Sequence, residues 1–446
     1  MEDKHMIKQV NVAVVGGGPA GLAAAVAAYD SGERSLIVIE RDKHLGGILQ
    51  QCIHNGFGLQ WFKKELTGPE YAQRFIDQVE ERNIESITGT MVLEIQYHPE
   101  QPEGYTKSVF CLSPSYGVIE YQAKAVILSM GCRERVRGNL KTPGTRPVGI
   151  YSAGLAQRLV NLEGVMPGKE VVILGSGDIG LIMARRMKWE GADVKMVCEI
   201  MPYSAGLARN IQQCLIDQDI PLHLSTTVIN IHGKDRLEGV TIAQVDEKRQ
   251  PIPGTERYVS CDTLLLSVGL LPENELSRAL NVEMDPVTGG PKVDENRQTS
   301  IPGVYACGNV LHVHDIVDFV SKESTIAGNA AAKQCAAEAA PASAGASAGA
   351  SAGADIKAQG NVRYTVPQHA SLGEAFSVYC RVGQPQSEGK FVLKAIQGDK
   401  ETVILEKKFV RAVPSEMAEI PVQEKHLAMI RDLFKDQRGT LVLTTE

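Results

Sequence analysis

Apolar positions along this chain fall into two kinds of run. Short, mainly apolar stretches, Val10–Val15, Leu36–Ile39, Ala125–Ser129 and Thr263–Val268, predict buried strands. Longer amphipathic or alanine-rich stretches predict helices at Ala20–Asp30, Gly68–Asn83 and Gly206–Gln218, and Asp315–Ala337 is helix-prone. Ile84–Ile95 reads as a strand, Ser108–Leu112 with Val118–Tyr121 as a hairpin-like excursion, and Pro221–Ile231 as a further strand. Past Val362 the pattern changes to strand-like alternation with glycine turns as far as Phe409. One helix within Glu416–Gln437 and a last strand at Thr440–Leu443 follow.

The first strand and helix carry a motif. Gly16, Gly18 and Gly21 form G-x-G-x-x-G at their junction, and Glu40 ends the next strand. The first glycine permits the tight turn, the second lets backbone approach a pyrophosphate, and the third lets helix and strand pack closely. The helix N-terminus then faces the phosphates, and Glu40 can accept hydrogen bonds from a ribose diol. Val10 to Tyr29 contains no charged residue, which also fits a membrane span. The glycines and proline grouped at its centre favour a strand, turn and helix instead. A second copy of the plan starts at Glu170: strand, Gly175, Gly177 and Gly180, helix, strand, and Glu199. First glycine and terminal acid are 24 positions apart in both copies, so the pattern predicts two dinucleotide folds.

The fold expected is therefore α/β: two Rossmann-like dinucleotide-binding domains, the second inserted in the first, plus a small β-rich C-terminal domain. The boundaries expected are residues 1–145 and 286–338 for the first fold and 146–285 for the second. Residues 339–360 form an Ala/Ser/Gly linker and 361–446 the appended domain, which docks a partner or covers a cofactor. The A-S-A-G repeats of Pro341–Ala354 cannot build a core and predict a tether reaching on the order of 20 Å.

A net charge of -7 with 22% charged residues leaves no basic footprint for nucleic acid and no polybasic membrane anchor. Nine scattered cysteines, none spaced C-x-x-C, suit a reducing compartment and predict neither a zinc ribbon nor an iron-sulfur cluster. With no apolar signal core before the first strand and no transmembrane segment, the expected location is cytoplasmic.

This layout resembles the flavoprotein oxidoreductases with two dinucleotide-binding domains, relatives of thioredoxin reductase and glutathione reductase. G-G-G-P-A-G with Glu40, the strand ending at Gly131, the second glycine motif, S-V-G-L-L-P and T-S-I-P-G-V-Y-A-C-G-N carry the likeness. By position, the resemblance implies FAD binding by Gly16, Gly18, Pro19, Ala20, Gly21, Glu40, Arg41, Gly47, Val92, Met130, Gly131, Gly308 and Asn309. It implies nicotinamide dinucleotide binding by Gly175, Gly177, Asp178, Ile179, Gly180, Glu199 and Gly269. Two departures stand out: Asn309 replaces the family's aspartate, and the paired redox cysteines are missing, which argues against disulfide reduction. G-G-I-L-Q-Q-C-I-H-N-G-F-G, C-G-N-V-L-H-V-H-D-I-V-D and K-K-F-V-R-A-V-P-S-E-M look more specifically like the FAD/NAD subunits of multi-subunit dye-linked dehydrogenases. That group includes subunits of hydrogen cyanide synthase, octopine and nopaline oxidases and dye-linked proline dehydrogenase.

The expectation is an FAD-dependent oxidoreductase exchanging hydride with NAD(H), favoured over NADP(H) because Glu199 would repel a 2′-phosphate. It would serve as the electron-transfer subunit of a complex that oxidises glycerol 3-phosphate or an amino acid-type substrate. Its partners would be a substrate-oxidising flavoprotein and a small cysteine-rich protein. The competitors are a free-standing NADH oxidase or peroxidase using Cys52 and a non-catalytic flavin-bearing assembly module. The flavin carries the chemistry. Cys52 is either a peroxidatic thiol or a small residue packed near the flavin, and His54 either packs near the flavin or takes part in catalysis. His312 and His314 either tune the flavin or pack, and no metal site is expected.

Overall fold

The computed structural model describes residues 6–339, 353–435 and 437–446. The chain divides into two compact units, one running to Cys132 and resuming at Pro272, the other spanning Arg133–Leu271.

At the centre of the first unit lies a sheet in which strand Met6–Val15 pairs in parallel with Leu36–Ile39 on one side and Gly117–Leu128 on the other. Register sets Val15 opposite both Ile39 and Leu128, so three strands end together beside the glycine turn. Gly117–Leu128 is one strand of 12 residues, not the two short ones expected. Its first half alternates Glu120, Gln122 and Lys124 with apolar residues and pairs antiparallel with Lys107–Ser113. Its second half is apolar throughout and pairs in parallel with Val304–Ala306. The change of partner explains why the pattern changes within one strand. The strand expected over Ile84–Ile95 is two, Glu85–Ile87 and Met91–Tyr97, separated by a turn in which Gly89 has φ +60.

Helices Pro19–Asp30 and Val317–Ala339 cover one face of this sheet. A Cβ on Gly328 would lie 2.2 Å from the Ala24 carbonyl oxygen, so the two helices can approach this closely only because that position is glycine. The other face packs against Leu280, Val282 and Val293, and also against Tyr364 and Val366 of the C-terminal region.

That region is built from sheet His369–Ala370, Ala354–Ala358, Gly439–Thr445, Gln386–Gln397, Lys400–Ala412, a second three-stranded sheet, and helix Glu424–Phe434. Much of the tether expected over 339–360 lies outside the described residues, but its end does not: Ala354–Ala358 pairs with Gly439–Leu443 and is a strand of the domain. Nor is the domain a separate appendage. Val293 N donates to Gln368 Oε1 at 3.0 Å, Ser371 N to Glu295 at 3.0 Å, and Lys322 Nζ to Glu419 at 2.6 Å.

The second unit is a parallel sheet ordered Ile150–Ser152, Thr263–Leu266, Glu170–Leu174, Asp193–Cys198, Leu222–His223, with an antiparallel sheet of three strands from Thr226 to Ser260. It runs from 133 to 271, not from 146 to 285. Gly144 and Val148 bridge to Ile231 and Arg236 within it, whereas Leu280 and Val282 belong to the core of the first unit. The helix expected over Gly206–Gln218 is shorter, Ala208–Cys214 with a 3-10 turn after it. Ser225, at φ +47, breaks the strand expected over Pro221–Ile231.

Candidate functional site

The two glycine turns are built alike. Gly16 has φ +106, and a Cβ there would meet Ser129 O at 2.6 Å; Gly175 has φ +100 and would meet Ser267 O at 2.0 Å. A Cβ on Gly21 would come within 1.8 Å of Gly16 O, and one on Gly180 within 2.7 Å of Gly175 O. Both acids are buried and held by equivalent amides. Glu40 Oε2 accepts from Gly17 N at 2.6 Å and Oε1 from Asp42 N at 2.7 Å. Glu199 Oε2 accepts from Ser176 N at 2.9 Å and Oε1 from Met201 N at 2.9 Å. The spacing of 24 thus reappears as one hydrogen-bond geometry used twice.

Ser129 and Ser267, missed as site residues, complete each turn. Ser129 Oγ donates to Val15 O at 2.7 Å, and Ser267 Oγ accepts from Gly180 N at 3.0 Å. S-M-G and S-V-G each follow an apolar strand, but neither tripeptide by itself marks its serine as part of the turn.

Helix Pro19–Asp30 has no side-chain cap and no acid in its first turn, which leaves its positive end available to an anion. Gly46 N donates to Gly17 O at 2.8 Å, and a Cβ on Gly47 would lie 2.9 Å from Gly18 Cα, so this second turn closes over the first. These features fit the pyrophosphate of a dinucleotide. The helix beginning at Asp178 also lacks a cap from its N-cap residue, Gly177. Asp178 itself is turned away: Oδ1 accepts from Leu207 N at 2.8 Å and Asn210 Nδ2 at 2.6 Å, so its role is to anchor that segment. Ile179 is partly buried against the core of the second unit, and Gly269 holds φ +100 after Ser267.

Val92 packs its side chain in the core, and the Thr90 N–H donates to the Glu40 backbone carbonyl at 2.9 Å. Arg41 forms an exposed ion pair with Glu273 at 3.0 Å. Asn309, on the turn Gly308–Val310, accepts from His314 N at 2.9 Å and donates to Cys132 Sγ at 3.4 Å. Met130 packs at the rim of the core and Gly131, at φ +74, has open space where a Cβ would stand.

Cys52 Sγ donates to Ile48 O at 3.3 Å, and burial pushes its thiol up to about 12. A thiol held in that state is a poor nucleophile, which favours packing over a peroxidatic role. His54 packs against Phe57, with ring centroids 5.0 Å apart.

Glu323, fully buried, gathers four donors. Oε1 accepts from Arg297 Nε at 3.1 Å and His312 Nε2 at 3.0 Å; Oε2 accepts from Gly308 N at 3.0 Å and His314 Nε2 at 3.0 Å. Tyr364 and Tyr379 cap this cluster from the C-terminal region, the Tyr379 ring 5.6 Å from the Arg297 guanidinium. Glu323 and the two histidines lie close enough together for a metal ion. The carboxylate charge is nevertheless already matched by Arg297, and its lone-pair directions are filled, so a divalent ion would leave uncompensated charge buried. Burial lowers His312 from 6.5 to about 4, and Glu323 is held well below the usual carboxylate range. The unfolded chain therefore binds more protons than the folded one between those two His312 values, and stability must rise with pH across that window. The melting temperature should fall as pH drops from 6.5 towards 4, and less steeply in His312→Asn, as followed by circular dichroism.

A family model for pyridine nucleotide-disulphide oxidoreductases matches residues 10–340. The chain belongs to that family. It is 23% identical over 310 residues to an opine oxidase subunit of Agrobacterium tumefaciens, covering 66% of this chain and 60% of that protein. It is 26% identical to the hydrogen cyanide synthase subunit HcnB of Pseudomonas protegens, covering 68% and 66%. The chain thus spans about three fifths to two thirds of the length of these relatives. Among solved structures, thioredoxin reductase of T. acidophilum superposes with TM-score 0.58 at 24% identity, over 74% of this chain and 98% of that one, which is likeness of fold. The family is one of oxidoreductases that bind FAD and a pyridine nucleotide. Among the described residues no helix is long and apolar enough to cross a membrane.

Proposed function

We propose that this chain takes hydride from, or returns it to, NAD(H), and relays electrons through FAD to a substrate-oxidising partner protein. The observation that carries this reading is the duplicated turn, with Glu40 and Glu199 each pinned by the same pair of backbone amides. One turn would hold FAD through Gly16, Gly18, Gly21 and Glu40. The other would hold the nicotinamide dinucleotide through Gly175, Gly177, Gly180 and Glu199, whose fixed carboxylate suits a ribose diol and opposes a 2′-phosphate. FAD, when bound, supplies the hydride and electron chemistry. The chain's own residues position the two dinucleotides and orient their riboses.

The role within a complex rests on the two relatives whose names make them parts of larger oxidases and synthases. A substrate such as glycerol 3-phosphate or an amino acid would be oxidised on the partner, and a small cysteine-rich protein would complete the complex. Cys52, whose thiol burial pushes up and which donates to Ile48 O, suits packing better than peroxidatic attack and weighs against a peroxidase. A relay protein of this kind should reduce an artificial dye with NADH at least about tenfold faster than it reduces dioxygen. Equal rates with dye and dioxygen would turn the assignment to a free-standing NADH oxidase.

A further inference from the structure

The second glycine turn has an open strip of backbone beside it. A Cβ on Gly177 would meet only Ser267, Oγ at 3.5 Å and the carbonyl oxygen at 3.9 Å. Two residues further, at most about 7 Å along the chain, Gly269 at φ +100 also faces open space. Among the described residues beyond its chain neighbours, the only heavy atoms within 4 Å of its Cβ position are Cδ and Nε of Arg135, both at 3.9 Å.

The backbone of Arg135 is tied to this glycine, its N–H donating to Gly269 O at 3.0 Å. Its guanidinium is not tied at all: the residue is exposed, and among the described residues its side chain makes no hydrogen bond or ion pair. The adjacent acid is engaged elsewhere, since Glu134 Oε1 accepts from Gly154 N at 2.8 Å, at the start of helix Ala153–Asn161.

The charges around the strip say what this cation could serve. Helix Pro19–Asp30 has no acid in its first turn, but helix Asp178–Trp189 carries Asp178 there. That carboxylate offsets the positive end of the helix, and Glu199, held by Ser176 N, adds a second negative charge. An incoming pyrophosphate therefore meets a less favourable field at the second turn than at the first. With its adenosine ribose on Glu199 and its pyrophosphate at Gly177, a dinucleotide has the open backbone from Ser267 to Gly269 before it, and Arg135 at the far end.

We propose that Arg135 binds the nicotinamide-side phosphate of the dinucleotide held by the second fold, supplying the positive charge that Asp178 offsets at the helix N-terminus. This rests on the assignment of the second turn to a nicotinamide dinucleotide. A guanidinium suits the task because it is always charged and its parallel N–H groups match two phosphate oxygens.

The test uses the full-length, FAD-loaded natural chain, Arg135→Gln and Arg249→Gln, titrated by calorimetry with NAD+, ADP-ribose and AMP. ADP-ribose keeps both phosphates but lacks the nicotinamide, and AMP keeps only the adenosine-side phosphate. Arg135→Gln should bind NAD+ and ADP-ribose about tenfold more weakly, by the same factor, with AMP unchanged. Arg249→Gln, which removes an exposed cation from the turn closed by Arg249 N and Asp246 O, should bind all three as the natural chain does. Unchanged affinities in Arg135→Gln would overturn the proposal. So would a loss for NAD+ that spares ADP-ribose, an equal loss for AMP, or the same losses in Arg249→Gln. A natural chain that binds neither NAD+ nor ADP-ribose would instead defeat the nucleotide assignment beneath the proposal, and the proposal with it.

Discussion

Replacing Gly21 by alanine should leave a folded chain that no longer retains FAD. The added carbon would stand 1.8 Å from Gly16 O and 2.8 Å from Ser129 Oγ, so helix and glycine turn must part by more than an ångström. That movement pulls the N-terminal amides of Pro19–Asp30 away from the phosphates they would bind, and misplacement on this scale costs on the order of a hundredfold. The control is Gly138→Ala, where a Cβ meets nothing within 4 Å. Equilibrium dialysis of FAD against the three proteins measures the effect, and circular dichroism verifies the fold. Equal FAD affinity in Gly21→Ala and the natural chain would mean that this turn does not carry the pyrophosphate.

The second large effect concerns the C-terminal region. Deleting residues 353–446 should yield a chain that aggregates or melts far below the intact protein and sheds its flavin. Tyr364 and Val366 sit at 8% and 0% exposure in the core that also contains Val293 and Leu311. Burial of two such side chains contributes about 4 kcal/mol, a large part of the net stability of a domain. The deletion also removes Tyr379 from Arg297, Ser371 from Glu295 and Arg381 from Asp315. A milder form is Tyr364→Ala, which should cost about 3 to 5 kcal/mol in thermal unfolding. A truncated chain that stays soluble with FAD bound would restore the view of this region as a docking appendage.

What the sequence makes legible is what depends on local order. Strand, glycines, helix, strand and acid follow one another within about 30 residues, so the register that brings Glu40 to Gly17 and Glu199 to Ser176 is set by short-range geometry. Ser129 and Glu323 were hidden for the opposite reason. Ser129 reaches Val15 across 114 positions, and Glu323 binds Arg297, Gly308 and both histidines only once the turn and long helix are in place. Nothing in S-K-E-S distinguishes a buried ionic hub from a solvated helix face. Gly117–Leu128 reads as two strands because its first half alternates polar and apolar residues while its second is apolar throughout, and the end of the tether reads as linker because the partner of Ala354–Ala358 lies at the other end of the domain.

The central claim, that the chain moves hydride between nicotinamide and flavin with Glu199 reading the ribose, is tested most directly by anaerobic stopped-flow. The FAD-loaded chain is mixed with NADH or NADPH and the flavin absorbance near about 450 nm is followed. NADH should bleach the flavin rapidly and NADPH at least about tenfold more slowly, the gap narrowing in Glu199→Ser. An FAD-loaded chain whose flavin stays oxidised with NADH would contradict the account.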